Sequence, residues 1–255
     1  MKTYAVITGA SSGIGAEFAK QLSKQGYRLI LIARREKRLQ KLAAQLQTEC
    51  EIIPADLTDL EQCRHVLQAI GQKQIHIFIN NAGFGDCSPF LDGNLEKELQ
   101  MIDLNIRAVH FFTKQILKKM HRDGGGYLLN VASSAGLIPA GPYMAAYYAA
   151  KSYVTSLTRA VAAELAERRS NVYIGCLCPG PVDTEFNRTA NVQFMLKGIH
   201  ARSCVSYALR QMKRKKTVII PTLRMKSVIF FGRFLPQPLY IRLVSFQQKK
   251  KIYSH

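Results

Sequence analysis

Tyr147 and Lys151 stand four residues apart, so on a helix their side chains share one face about a turn from each other. A free tyrosine hydroxyl ionises near pH ~10, too high for easy proton exchange at neutrality, and a neighbouring ammonium stabilises the phenolate and lowers that value. The pair therefore reads as a general acid/base. Three other tyrosines crowd the same stretch without such a partner: Tyr143 has Tyr147 four residues on, Tyr148 has Ser152 and Tyr153 has Leu157. A second group able to do chemistry lies near the start of the chain. Thr8-Gly9-Ala10-Ser11-Ser12-Gly13-Ile14-Gly15 spaces three glycines so that the backbone can bend sharply and approach a pyrophosphate, with unpaired N–H groups at a helix start adding positive potential. The G-K-[ST] of a Walker loop is missing, which disfavours a nucleotide triphosphatase.

These groups need a scaffold that brings distant segments to one edge. Residues 4–7, 28–33, 51–55, 75–80, 126–131 and 172–178 are short apolar runs, the pattern of strands buried on both faces. Between them, Phe18 and Leu22, then Leu39, Leu42 and Leu46, then Val66, Leu67 and Ile70 recur with helical spacing. Six alternations of strand and helix before residue 180 predict an α/β, doubly wound parallel sheet covered by helices, with ligands bound beyond the carboxyl ends of the strands. Residues 1–221 are expected to form a single domain. After Pro221 the chain mixes Phe230, Phe231, Phe234, Leu239, Tyr240, Leu243, Val244 and Phe246 with Arg224, Lys226, Arg233, Arg242 and Lys249–Lys251, so residues 222–255 read as a basic, amphipathic C-terminal extension.

With 255 residues, 47% of them hydrophobic and 21% charged, the chain can bury a substantial core. It begins without the pattern of a secretory leader, and no stretch reaches the ~18 uninterrupted apolar residues of a membrane span. Cys50, Cys63, Cys87, Cys176, Cys178 and Cys204 lie scattered, with no zinc spacing, and read as reduced thiols in a cytoplasmic protein; no metal site is expected. Charge is uneven. The first 185 residues carry 21 Lys and Arg against 17 Asp and Glu, whereas residues 186–255 carry fifteen Lys and Arg and no acid. Such a segment concentrates anionic partners and says nothing about fold.

Four further signals follow the glycine turn in fixed order: Asp56 after the third strand, Asn80-Asn81-Ala82-Gly83 after the fourth, Ser133 after the fifth, then Tyr147-x-x-x-Lys151. Together they make the chain up to about Thr184 resemble the short-chain dehydrogenase/reductase family. That resemblance implies a Rossmann-type NAD(P)-dependent oxidoreductase that interconverts a carbonyl and an alcohol by hydride transfer. It implies that Gly9, Ser11, Ser12, Gly13, Ile14 and Gly15 hold the pyrophosphate side of the cofactor, that Asp56 and Leu57 flank the adenine, and that Asn81, Ala82 and Gly83 line the cofactor. Pro179, Gly180, Val182 and Thr184 belong to the stretch that holds the nicotinamide carboxamide. By the same resemblance Tyr147 would supply the proton, Lys151 would also hold the nicotinamide ribose, Ser133 would hydrogen-bond the substrate oxygen, and Asn105 would support a water relay. Ser134, thirteen residues before Tyr147, competes with Ser133 on spacing. Ser133 is preferred because the run from Asn130 to Gly136 matches the family's strand-end pattern.

The second strand ends in Ala33-Arg34-Arg35, without the acid that NAD-preferring sites place there and with guanidinium groups that can grip a phosphate. NADP is thus expected over NAD, with Glu36 nearby as the counter-signal. Residues about 185–215 are expected to form a substrate loop, made apolar by Phe186, Val192, Phe194, Met195 and Leu196, which points to a lipophilic ketone, steroid-like or 3-oxoacyl substrate. The family resemblance implies a homo-oligomer. The tail suits an acidic membrane surface, making the protein peripheral there, or an acidic carrier, and it has no nucleic-acid motif. A rival reading is a non-catalytic nicotinamide-binding scaffold or sensor docked through that tail.

Overall fold

The computed structural model describes residues 3–186 and 198–252, with the side chains of 250–252 left aside. Its centre is a seven-stranded parallel sheet in the order β3-β2-β1-β4-β5-β6-β9. The strands are β1 (Tyr4–Thr8), β2 (Arg28–Ala33), β3 (Cys50–Pro54), β4 (Ile75–Asn80), β5 (Gly126–Val131), β6 (Val172–Leu177) and β9 (Val218–Ile219). The six expected strands are present, with ends within one residue of the apolar runs. The seventh, β9, adds to β6 through Cys176–Val218 and Leu177–Ile219. A separate two-stranded ribbon pairs β7 (Val182–Asp183) with β8 (Ile199–His200).

Strand alternation divides the apolar side chains between two cores. Ile7, Leu29 and Leu31 face one side, against Phe18 and Leu22 of α1 (Gly13–Lys24) and Leu39 and Leu42 of α2 (Glu36–Ala43). Val6, Ile30 and Ile32 face the other, against Val66 and Ile70 of α3 (Leu60–Ile70) and Phe112 and Ile116 of α5 (Val109–Arg122). The short α4 (Leu95–Ile102) runs into α5 through a π-helical turn, Asp103–Ala108. Helix α6 (Ala145–Glu167) completes the second layer and carries Tyr147 and Lys151.

The second half of the expected substrate loop has another role. Residues Ala201–Lys213 form α7, whose Cys204, Val205, Ala208, Leu209 and Met212 make an apolar stripe buried in the first core. Of the loop's named apolar residues, Val192, Phe194, Met195 and Leu196 lie outside the described residues. The extension forms α8 (Leu223–Gly232) and α9 (Gln237–Ile252). Among the described residues no helix is long and apolar enough to cross a membrane.

Candidate active site

The carboxyl ends of β1, β4, β5 and β6 open onto one edge, and the chain turns there four times. After β1, Gly9 and Gly13 take φ of +65° and +54°, conformations that a side chain strains. Gly15 is required for a different reason: a Cβ there would sit 2.4 Å from the Gly9 carbonyl oxygen and 2.6 Å from Asn81 Nδ2. The turn is clamped to the end of β4. Thr8 Oγ1 accepts hydrogen bonds from the backbone N–H groups of Asn81 and Ala82 at 2.8 and 2.9 Å, and Asn81 Nδ2 donates to the Thr8 carbonyl at 2.9 Å. Ser12 precedes α1 without capping it; its hydroxyl instead accepts from Arg35 at 2.9 Å. The result is a bare backbone floor at a helix start, which fits a pyrophosphate.

A buried polar network ties β4 and β5 to the helix that carries the proton donor. Asn80 Nδ2 donates to Asn130 Oδ1 at 3.1 Å, and Asn130 Nδ2 donates to Thr158 Oγ1 of α6 at 2.9 Å. With α6 so placed, Tyr147 and Lys151 are both buried, and Lys151 Nζ lies 5.8 Å from the Tyr147 ring centre. One ammonium donor goes to the Val131 carbonyl at 3.0 Å. The Ser133 hydroxyl stands near enough to the Tyr147 phenol to favour its ionisation, whereas Ser134 is buried and its backbone N–H donates to the Pro179 carbonyl at 2.8 Å. The structure thus brings Ser133 to the phenol and uses Ser134 to tie β5's end to that of β6.

Asn105 is fully buried in the π-helical turn, where Nδ2 donates to the Phe84 carbonyl at 2.7 Å and Oδ1 accepts from the Phe84 N–H at 3.2 Å. A Cβ on Gly83 would stand 2.7 Å from Asn105 Oδ1 and 3.4 Å from Lys151 Nζ. Gly83 is therefore the gap through which Asn105 and Lys151 face the same space.

The charge states depart from the expectation of an acidified phenol. Burial pushes Tyr147 up to about 12, and the Ser133 hydrogen bond opposes this only in part. Burial also pulls Lys151 down to about 8, with the neighbouring Cys178 opposing. Desolvation of each charged form is the larger effect, because Lys151 spends its nearest donor on a carbonyl rather than on the phenol.

At the far end of the turn a cluster forms that accepts an anion. Arg35 donates to both Ser11 and Ser12, and with Arg38 it holds the carboxylate of Glu185, at 3.1 Å from Arg35 Nη1 and 2.7 Å from Arg38 Nη1. The residues flanking Glu185 reach the rest of the groove. Thr184 lies so close to Gly13 that a Cβ there would be 3.2 Å away. Phe186 packs its ring 5.6 Å from that of Tyr147.

A family model described as short chain dehydrogenase matches residues 3–193. The chain belongs to this family. An uncharacterized oxidoreductase of Staphylococcus epidermidis is 34% identical over 211 residues, which cover 81% of this chain and 90% of that protein. Among solved structures, a short-chain dehydrogenase from Sphingobium yanoikuyae in complex with NADPH is 29% identical, with a TM-score of 0.81 over 91% of this chain and 94% of that one. The bulky-bulky ketone specific alcohol dehydrogenase of Comamonas testosteroni is 26% identical, with a TM-score of 0.76 over 91% and 92% of the two chains.

In this short-chain dehydrogenase the expected residues gather along one groove, with two adjustments. Arg34 turns away from the anion cluster: its guanidinium pairs with Asp56 at 3.6 Å. The Asp56 carboxylate also accepts from the Thr58 hydroxyl at 2.9 Å, and the Leu57 side chain is buried in the core, so these two residues offer backbone more than side chain to a ligand. Arg38 and Glu185 carry no signal of their own in the sequence, since an arginine one turn into a basic helix looks like a solvated face. Pro179, Gly180 and Val182 lie where β6 runs into the β7–β8 ribbon, and Ile14 packs on the first core.

Proposed function

We propose that this protein is an NADP-preferring reductase that interconverts a lipophilic carbonyl and its alcohol. The observation that carries the reading is that Ser133 and Lys151 both stand beside the Tyr147 phenol, and Lys151 and Asn105 both border Gly83, next to a glycine turn too closely packed for side chains. The bare turn and helix start would hold the dinucleotide's pyrophosphate, and Lys151 would hold its ribose. When bound, the nicotinamide supplies or accepts the hydride.

The protein's own part is to manage the oxygen. A carbonyl oxygen placed between the Ser133 hydroxyl and the Tyr147 phenol gains two donors aimed at the negative charge that develops on reduction. Tyr147 gives up its proton, and the Lys151 ammonium stabilises the phenolate left behind. Asn105, fixed by both backbone groups of Phe84, holds the π-helical turn beside Gly83 and so keeps open the path by which water would restore the proton.

Two observations support the finer choices. Arg35, which donates to Ser11 and Ser12, and Arg38 already gather an oxyanion, the Glu185 carboxylate, beside the end of β2, where a 2′-phosphate would take its place and where β2 itself ends without an acid. The side chains around Tyr147 are Met144, Tyr148, Phe186, Tyr240 and Val244, an apolar wall that suits a lipophilic substrate better than a sugar. The test is NADPH consumption across a panel of hydrophobic ketones and acyl thioesters. Tyr147→Phe should lower turnover by roughly a hundred- to ten-thousandfold while leaving dinucleotide binding intact. Unchanged turnover in that variant would remove the proposed acid.

A further inference from the structure

We propose that the C-terminal extension is a docking surface for an anionic lipid bilayer. Its two helices each have an inner and an outer face. In α9, Tyr240, Val244 and Gln248, spaced four apart, turn inward and are buried, and Gln248 Nε2 donates to the Tyr148 hydroxyl at 2.7 Å. Leu239, Leu243 and Phe246 of the same helix turn outward and are exposed. The expected amphipathic face of Tyr240, Leu243, Val244 and Phe246 is thus divided, half holding the helix on the body and half facing away from it. In α8, Ile229 and Gly232 pack inward, and a Cβ on Gly232 would meet the Tyr240 ring at 2.6 Å. The outer residues Phe230, Phe231 and, just beyond the helix, Phe234 are 55%, 66% and 71% exposed, and the Phe230 ring meets each of the other two edge to face.

Three adjoining phenyl rings left in contact with water, on helices already anchored by other residues, mark an interaction site rather than unfinished packing. Charge selects the occupant. From Arg224 to Lys251 the chain holds seven Lys and Arg and no Asp or Glu, and an open cleft of about 520 Å³ beside α8 is lined by Ile229, Phe230 and Phe231 together with Lys226 and Arg233. A second copy of the chain would bring the same cations against this face with no carboxylate from the extension to offset them. An acidic protein answers the charge but not the rings. A bilayer with anionic headgroups answers both, because the rings enter the acyl boundary while the long cationic side chains reach back to the headgroups. The docked helix also forms the wall of the candidate site, since Tyr240 and Val244 share one cluster with Tyr147. Docking stands without the proposed activity; only delivery of an apolar substrate from the bilayer rests on it.

The experiment is sedimentation of the full chain with vesicles of phosphatidylcholine alone and with about one third phosphatidylglycerol. Binding is expected to the anionic vesicles and to weaken as salt shortens the Debye length from about 10 Å toward 3 Å. The triple variant Phe230→Ser, Phe231→Ser, Phe234→Ser should lower partitioning at least about tenfold, with its thermal unfolding midpoint unchanged because all three rings are outside the core. Arg224→Gln with Arg233→Gln should lower it about fivefold per charge, from roughly 1 kcal/mol for each cation near the surface. No partitioning into anionic vesicles, or partitioning indifferent to the triple variant, overturns the proposal. So does light scattering that shows a dimer abolished by that variant, which would give the surface to a second copy.

Discussion

Glu185→Gln should tighten NADPH binding and leave NADH binding nearly unchanged. Glu185 is the one carboxylate that the described structure places on Arg35 and Arg38, and the two guanidiniums hold its ionisation below the ordinary carboxylate range. A 2′-phosphate seated on Ser11, Ser12, Arg35 and Arg38 must displace that carboxylate. Both arginines are about half exposed and Glu185 is a third exposed, so each ion pair is worth only about 0.2–1 kcal/mol after solvent screening. Releasing the two pairs corresponds to roughly 0.5–2 kcal/mol, a gain of about two- to thirtyfold in NADPH affinity. The glutamine keeps the side chain's size and removes only its charge. Fluorescence titration with both dinucleotides at low and moderate salt reads the difference, which should shrink as salt rises. Arg38→Ala should do the reverse and weaken NADPH alone. Equal shifts for NADPH and NADH, or weaker NADPH binding in the glutamine variant, would refute the placement of the phosphate. If the wild type and Glu185→Gln both favour NADH, it is the NADP reading that fails.

Two further predictions come from Lys151. In the free enzyme, kcat/KM for ketone reduction should fall as pH rises through about 8, because the ammonium that stabilises the developing phenolate is lost there; Lys151→Arg should displace that limb upward, and a flat profile would refute the assignment. Burial lowers Lys151 from 10.5 to about 8, so the charged form is held against the fold by roughly 3 kcal/mol. That penalty is complete below pH 8 and relieved as pH rises toward 10.5. Lys151→Met removes it and leaves the Val131 carbonyl without its donor, at a cost of about 1–3 kcal/mol. Denaturant unfolding at neutral pH should therefore find the variant inactive yet as stable as the wild type or up to about 2 kcal/mol more so, with the wild type overtaking it by about 1–3 kcal/mol above pH 10, where the desolvation penalty is gone and only the lost donor remains; a loss of more than about 2 kcal/mol at neutral pH would show that the ammonium's contacts outweigh its desolvation.

The sheet was legible because each strand is an uninterrupted apolar run, as in Leu29-Ile30-Leu31-Ile32, and both faces of such a strand are covered. Strand β9 has no signature in the sequence because two residues, Val218 and Ile219, make no periodic pattern; it forms where β6 offers its edge. Helix α7 falls within the span expected for the substrate loop, because position in the family's order says nothing of the apolar stripe of Cys204, Val205, Ala208 and Leu209. The motif residues were legible because each has a local geometric duty, such as Gly15, whose missing side chain lets Asn81 approach. The Glu185–Arg38 contact spans 147 positions, and no pattern within either segment announces it. Charge state was the least legible property. Spacing put an ammonium near the phenol, but only burial decides which of two opposed effects wins.

That outcome bears on direction. With Tyr147 near 12 and Lys151 near 8, the resting pair at neutral pH is a neutral phenol beside an ammonium. A phenol so hard to ionise is seldom in the phenolate form that could withdraw a proton from an alcohol, yet it can still protonate an alkoxide, which is more basic still. The same burial that raises the phenol keeps water from screening the Lys151 charge, so the phenolate formed after proton transfer finds its counter-ion across a weakly screened gap. The two displaced values are therefore complementary: each group sits in the protonation state that carbonyl reduction consumes, and the reverse reaction must first drive a proton off Tyr147. Alcohol oxidation should accordingly gain with rising pH until the loss of charge on Lys151 offsets the gain in phenolate, so its optimum lies on the alkaline side of the reduction optimum.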